Sequence, residues 1–493
     1  MVAAYYFGVS GLINAFTVAF QIPNLIRALV ADAALSGAFV PVFTDLLESG
    51  DRKRAWRVAS TLFWLTLLVL GGLTALLILL APLILKPFGD PGGDFDLAVG
   101  LSRVLFPIVV LLGLSGVIVG ILNSYDEFAI PALTPVAWNL AIIAGLVLGV
   151  PRTDSETTQL YIYAGAIVVG TLIQLLLPVP WLRRLDGKLT LAFDWRDPAV
   201  RRFLALLLPV TLTLGLINVN AVIDTLFASR LIDPELAPAA IDKAFRLYML
   251  PQGMFSVAVA TVLFPAISRY ATRGDVPGFR RTLDLGLRQI GFLLIPASMI
   301  TATLAVPIVR LVYQRGAFAE DDVGVVAACL AAFSLGLAFN GWMLMLTRAF
   351  YALQSNWLPT AVAIGTLALN ALLDAVLYTV GTWGIPLATS IVNIVGVACL
   401  LVLLARRTGL ESPGATLSSL ARITLAAALA TIAAGGVYLA LDALLGHASV
   451  IAQIVSLGAA LGTAAMLYLG LGRVLGIREL QALLSLRRRP ESA

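Results

Sequence analysis

The sequence predicts an all-α, polytopic membrane protein, and three observations carry that prediction. The 493-residue chain is 60% hydrophobic and only 12% charged, whereas a soluble domain carries about 25% charge. Apolar runs of the roughly 20 residues needed to cross a bilayer recur about thirteen times. The connections between them alternate in character, one basic and the next acidic or neutral.

The runs start near Phe7, Val58, Leu97, Phe128, Leu160, Phe203, Ala239, Leu283, Val323, Trp357, Trp383, Leu420 and Val450. The basic connections hold Arg52-Lys53-Arg54 with Arg57, Arg183-Arg184 through Arg201-Arg202, Arg269 to Arg281, Arg406-Arg407, and the tail Arg487-Arg488-Arg489. The acidic or neutral set comprises Gly89 to Asp96, Arg152 to Glu156, Ile232 to Glu235, and Glu320 to Asp322. Cationic loops are retained in the cytoplasm, so the basic set is expected inside, together with the C-terminus. The first run then begins outside, although only Met1 to Tyr6 precede it. The expectation is a further helix upstream of Met1; the alternative is a genuine outside amino terminus.

Other features narrow the function by exclusion. The net charge of +5 is a topological signal, so nucleic acid is not an expected partner. Cys329 and Cys399 lie in apolar runs and read as small core residues. His447 is the one histidine, in a short outer loop, so His-based metal or base chemistry is not expected. No G-x-x-x-x-G-K-[ST] phosphate loop is present, so uphill transport would draw on an ion gradient, the membrane potential or a substrate gradient. No connection is long enough to house an active site. The chain therefore reads as a non-enzyme without cofactor. The longest loop, about Arg183 to Arg202, is a basic connector whose Asp194-Trp195-Arg196-Asp197-Pro198 reads as an interfacial turn into the next helix.

The chain also repeats. Phe39-Val40-Pro41 is followed by Gly50-Asp51, and Phe264-Pro265 by Gly274-Asp275, each pair opening a basic loop. From Pro41 to Pro265 the offset is 224 residues, which fits two parallel six-helix bundles plus two helices at the end. The expected divisions are 1–185, a first lobe; 186–410, a second lobe; 411–480, two extra helices; and 481–493, a basic tail.

Charged residues inside the spans are the functional signal. Arg27 lies mid-run, four residues after Pro23 and five before Asp32. A guanidinium at the bilayer centre costs about 2.5–3.5 kcal/mol on insertion scales, so such a residue faces protein or water. The proline bends the helix by removing a backbone donor. Arg246 stands likewise near Pro251. Arginine suits phosphate bidentately and stays charged, so two such residues facing one cavity would hold a diphosphate. The alternative is that each snorkels or pairs with a carboxylate, as Asp32 would with Arg27. Asp32 is a partner for that arginine or a cation or proton site. Asp224, with Asn218 and Asn220 nearby, is either a coupling-ion site or the outer end of its helix. Asn370 with Asp374, Asn139 and Asn393 read as helix–helix hydrogen-bonding groups. Arg288, Arg310 and Arg348 read as interfacial anchors.

These residues resemble a known family, the MurJ (MviN) lipid II flippases of the multidrug/oligosaccharidyl-lipid/polysaccharide exporter superfamily. The resemblance rests on Phe7-Gly8, Asn14-Ala15-Phe16, Val18-Ala19-Phe20, Ile22-Pro23-Asn24 with Arg27, and Ala38-Phe39-Val40-Pro41. It continues through Gly120-Ile121-Leu122-Asn123, Arg246-Leu247 with Pro251, Arg315-Gly316-Ala317-Phe318, and Ala349-Phe350-Tyr351-Ala352-Leu353. It implies two six-helix lobes plus two helices, fourteen spans in all, and a cationic cavity taking an undecaprenyl-diphosphate-linked peptidoglycan precursor. The last two helices would border a groove for the lipid tail. Arg27, Arg246, Asp32, Asn14 and Asn24 are the implied headgroup set, and Asp224 with Asn218 the candidate site for a monovalent cation. The expected partners are the lipid-linked substrate and membrane lipids; the expected state is a monomer in the bacterial inner membrane. Asn14 stands where the family usually has aspartate, Phe245 where an acid often precedes the arginine, and Gln354 to Pro359 departs from the usual Asp-Thr-x-x-Pro. A drug antiporter, a polysaccharide-lipid flippase and an inactive scaffold are the alternatives.

Overall fold

A computed structural model describes residues 1–30, 33–355, 357–409, 411, 413–477 and 479–480, with side chains described outside 28–30, 33–38, 206, 208–217 and 413. Among the described residues every regular element is helical. The chain divides into two units, Val2–Ala239 and Ala240–Ala493 with Met1.

The first unit contains α1 (Val2–Phe7), α2 (Ile13–Val30), α3 (Ala33–Glu48), α4 (Arg52–Leu85), α5 (Phe95–Leu105), α6 (Ile108–Ser124), α7 (Ala129–Gly149), α8 (Glu156–Leu176), α9 (Val179–Leu182) and α10 (Pro198–Phe227). Helix α6 is its centre, buried along most of its length. Its glycines explain how: a Cβ at Gly120 would lie 2.8 Å from the Phe39 ring. Phe39 stacks on Phe43 at 5.1 Å, and Trp56, Ile121 and Phe203 complete this core. Small residues thus let bulky aromatics from α3 approach a membrane helix closely.

At the basic-loop end, residues 186–197 are strapped along α4. Ser60 Oγ accepts from Thr190 N at 2.9 Å, Thr61 Oγ1 from Asp194 N at 3.2 Å, and Trp64 Nε1 donates to Thr190 O at 2.9 Å. Arg54 donates twice to Asp197, 2.9 Å each. Asp197 also caps α10 by accepting from Ala199 N at 2.7 Å, with Pro198 in the first helical position, a position that needs no N–H. The turn expected at Asp194–Pro198 is therefore a helix start tied to a neighbouring helix.

The Arg54 contact holds the Asp197 carboxyl below its ordinary value of 3.8, and the Tyr125 hydroxyl does the same for Asp186. A depressed carboxyl contributes stability above the ordinary value, and that contribution fades as pH falls through the lowered one. The strap is thus expected to be pH-independent from 5 to 8 and to loosen only in acid. Arg54→Ala should loosen the strap, because Asp197, whose side chain is only 10% exposed, loses both of its Arg54 donors. Hydrogen exchange of residues 186–194 checks both statements.

The second unit contains α11 (Ala237–Pro251, whose first turn belongs to the first unit), α12 (Val257–Thr272), α13 (Val276–Thr303), α14 (Ala305–Tyr313), α15 (Glu320–Leu335), α16 (Leu337–Ala352), α17 (Trp357–Leu377), α18 (Gly384–Thr408), α19 (Pro413–Leu445) and α20 (Val450–Val474). The Gly-Asp pairs of the sequence repeat do equivalent work in the two units. Gly50 (φ +80°) and Gly274 (φ +69°) reverse the chain after a helix, and Asp51 and Asp275 cap the next one through Arg54 N and Gly278 N. Left-handed glycine followed by an aspartate cap is what a tight turn between two helices requires.

Helices α19 and α20 pack on α13 and α14. Ala426, Ala427 and Ala430 lie against Phe292, whose carbonyl accepts from Tyr468 Oη at 2.7 Å. His447, in the turn between α19 and α20, sits 3.6 Å from Asp442 and 3.9 Å from Glu320.

Ten helical segments among the described residues are long and apolar enough to cross a membrane, or eleven if α15 and α16, bent by 42°, form one span. The runs expected from Phe7 and Phe203 fall on α2 with α3 and on α10, where some residues lie outside the described set. Cys329 is buried as expected, but Cys399 is exposed. The outer face of a membrane helix is as apolar as its core, so hydropathy alone does not separate the two.

Candidate functional site

Arg27 occupies the last turn of α2, one helical step from the buried Pro23. Its Nε and Nη2 donate to Asn24 Oδ1 at 3.2 and 2.9 Å. Residues three apart share a helix face, so Asn24 sets the direction of the guanidinium fork. The structure thus brings together two of the expected headgroup residues. Asp32 lies outside the described residues.

Asn14, at the other end of α2, is fully buried. Its Nδ2 donates to Val9 O at 2.8 Å, to Gly11 O at 3.2 Å and to the Glu235 carbonyl. Its Oδ1 accepts from Ala239 N, in the first turn of α11, at 2.8 Å. All its polar atoms are engaged by backbone, so in this conformation Asn14 is a positioning residue. Around it three loops at the acidic-loop end are knotted together. Gly11 N donates to Glu235 O at 2.8 Å and Gly92 N to Pro234 O at 2.7 Å. Gly92 has φ +68°, and a Cβ there would lie 2.9 Å from Gly11 O. Only glycine fits.

In the second unit, Arg246 Nε donates to Asp242 Oδ2 at 2.8 Å, and the arginine side chain is 61% exposed. Asp242 went unnoticed in the sequence although its spacing, four residues before Arg246, is that of an ion pair on one helix face. Lys243, between them in sequence, adds a further cation. Past Pro251 the helix widens into a π-turn, Gln252–Ser256, where Gln252 Nε2 donates to Asn340 Oδ1 at 3.0 Å. A proline removes one helical hydrogen bond, and the widened turn absorbs the mismatch.

A family model described as lipid II flippase MurJ matches residues 3–476. This chain belongs to the MurJ family. It is 31% identical to the lipid II flippase MurJ of Burkholderia cenocepacia, covering 83% of this chain and 80% of that one. It is 32% identical to a probable lipid II flippase MurJ of Rhizobium tropici, covering 81% and 76%. Among solved structures it is similar to a lipid II flippase MurJ in an inward closed conformation, with TM-score 0.77, 24% identity and coverage of 96% and 94%. It also shares its fold with an inward-facing multidrug resistance MATE family transporter of the MOP superfamily, with TM-score 0.70, 19% identity and coverage of 81% and 92%.

Two further polar sets of this MurJ family member lie inside helices α10 and α17. In α10, Asn220 Nδ2 donates to Asp224 at 3.2 and 3.4 Å, and Asp224 is 9% exposed. The amide brought to Asp224 through these bonds is Asn220, one turn before it. In α17, Asn370 Nδ2 donates to Asp374 Oδ2 at 3.0 Å, with both residues buried. Arg288 departs from the interfacial role expected of it. Its side chain is 17% exposed and lies 3.0 Å from Asp284 and 3.4 Å from Glu479. A buried guanidinium needs such partners, and Glu479, 191 positions away, was too distant in sequence to suggest itself.

Proposed function

We propose that this chain flips lipid II, the undecaprenyl-diphosphate-linked peptidoglycan precursor, from the inner to the outer leaflet by alternating access. Arg27 carries the reading: a cation held by Asn24 on a membrane helix, in a chain whose family is named for lipid II flipping. A diphosphate cannot cross hydrocarbon unaided, and arginine donors replace part of its hydration. Arg246 is the second diphosphate-holding cation, kept by Asp242 when empty, and Lys243 adds to its positive field. The basic loops and the C-terminus face the cytoplasm of the bacterial inner membrane. Asp224, with Asn218 and Asn220, is the candidate site of a coupling monovalent cation. Membrane potential supplies about 2.3 kcal/mol per elementary charge per 100 mV, which could drive the same cycle.

Complementation tests the reading. Expressed in a bacterium depleted of its own flippase, the gene should restore growth and clear accumulated inner-leaflet lipid II. Restoration of glycan export or drug resistance, with lipid II still accumulating, would move the chain to another substrate class.

A further inference from the structure

The second unit holds a cavity of about 330 Å³ that the transport reading does not use. It lies at the basic-loop end between α13, α16, α18 and the first turns of α19. Its volume is within the roughly 300–1,000 Å³ typical of small-molecule sites. The walls are Leu283, Leu287, Phe339, Trp342 and Leu420. Two contacts stiffen them: Trp342 Nε1 donates to Leu287 O at 2.8 Å, and the Phe339 and Trp342 rings meet edge-on at 5.2 Å.

The rim is polar, and its charges are sorted. Asp284 accepts from Thr416 and pairs with Arg288, which Glu479 shares. Glu411 lies 3.7 Å from Arg281. Each rim carboxylate thus has an arginine partner other than Arg280. Arg280 is different: among the described residues it has no ion pair, and its buried Nε has no hydrogen-bond partner. Its guanidinium lies against the end of α18, where a Cβ on Gly409 (φ +73°) would come within 2.7 Å of Nη2. Arg406 and Arg407 in the last turn of α18 add positive charge without a carboxylate partner among the described residues.

We infer that this cavity binds one acyl chain of an anionic glycerophospholipid whose phosphate sits on Arg280. The apolar walls match a chain, and a guanidinium without an ion pair among the described residues matches a phosphate. The inner end of a membrane helix bundle is where basic pockets meet anionic head groups. The lipid would be a structural ligand seating the start of α19 on α13 and α18, apart from Arg27 and Arg246.

Native mass spectrometry of the full chain in detergent provides the test, with phosphatidylglycerol and phosphatidylcholine of identical acyl chains. Phosphatidylglycerol should bind about fivefold more tightly, as expected for one cation at a bilayer surface. Arg280→Gln should remove that preference, Arg280→Lys should retain most of it, and Leu420→Trp should weaken both lipids. Arg280 supports no ion pair, so Arg280→Gln should fold with an unchanged lipid-free melting temperature. Equal binding of the two lipids by the parent overturns the proposal, as does a preference surviving Arg280→Gln. Displacement of phosphatidylglycerol by stoichiometric undecaprenyl phosphate, sensitive to Leu420→Trp, would also overturn it by giving the cavity to the substrate's tail.

Discussion

Arg27→Ala is expected to abolish complementation of a flippase-depleted strain, and Arg27→Lys to restore it only in part. The guanidinium is directed by two bonds to Asn24 Oδ1, so alanine removes both the charge and the geometry of the fork. Losing a charged hydrogen-bonding group is worth about 1.5–3 kcal/mol, which is roughly a tenfold to hundredfold loss of headgroup binding. Lysine keeps the charge but cannot present two coplanar donors. Arg246→Ala should have a smaller effect, since that side chain is largely exposed and already shared with Asp242. Growth, with membrane levels of each variant checked by immunoblot, decides the matter. A fully active Arg27→Ala at normal abundance would end the assignment.

Asn14→Leu is expected to have the largest effect on stability. The substitution removes the side-chain donor of the Val9, Gly11 and Glu235 carbonyls and the acceptor of Ala239 N. Gly11 O and Glu235 O keep the backbone donors Asn14 N and Gly11 N, so Val9 O and Ala239 N lose most. Orphaned buried groups cost about 1–3 kcal/mol each, so a loss of about 2 kcal/mol or more is expected. Asn14→Asp separates the two halves of that role. A carboxylate keeps the acceptor for Ala239 N but offers no donor to Val9, Gly11 and Glu235. It should therefore be destabilising too, although aspartate is what the family usually carries there. Thermal unfolding in detergent, followed by tryptophan fluorescence, ranks the variants. An Asn14→Leu protein that melts with the parent would show that the loops are held by their own backbone bonds alone.

Much of the fold was legible because membranes impose a simple grammar. Length, hydropathy and loop charge are local properties, so eleven of the expected runs coincide with spanning segments when α15 and α16 are taken together. The Gly50-Asp51 and Gly274-Asp275 turns were legible for the same reason, since glycine and a capping aspartate act within four residues. The site was legible only where its chemistry is local. Arg27 and Asn24 share one turn of helix and were found together. The full engagement of Asn14 was not readable, because Glu235 and Ala239 lie 221 and 225 positions downstream. Arg288 was misplaced for a similar reason: nothing near it in sequence announces Glu479. Cys399 was misplaced because a lipid-facing surface and a protein core look alike in composition.

The knot around Asn14 also has a consequence for biogenesis. Its amide group is completed by residues that leave the ribosome only after some 225 more have been added, which at about 5–20 residues per second takes roughly 10–45 s. For that interval α2 must wait with the Asn14 amide oxygen and the Gly11 N–H unpaired by their final partners, Ala239 N and Glu235 O. Assembly of this half of the protein is therefore a closing step that follows insertion, with a nascent chain exposed to quality-control proteases until the connection between α10 and α11 arrives.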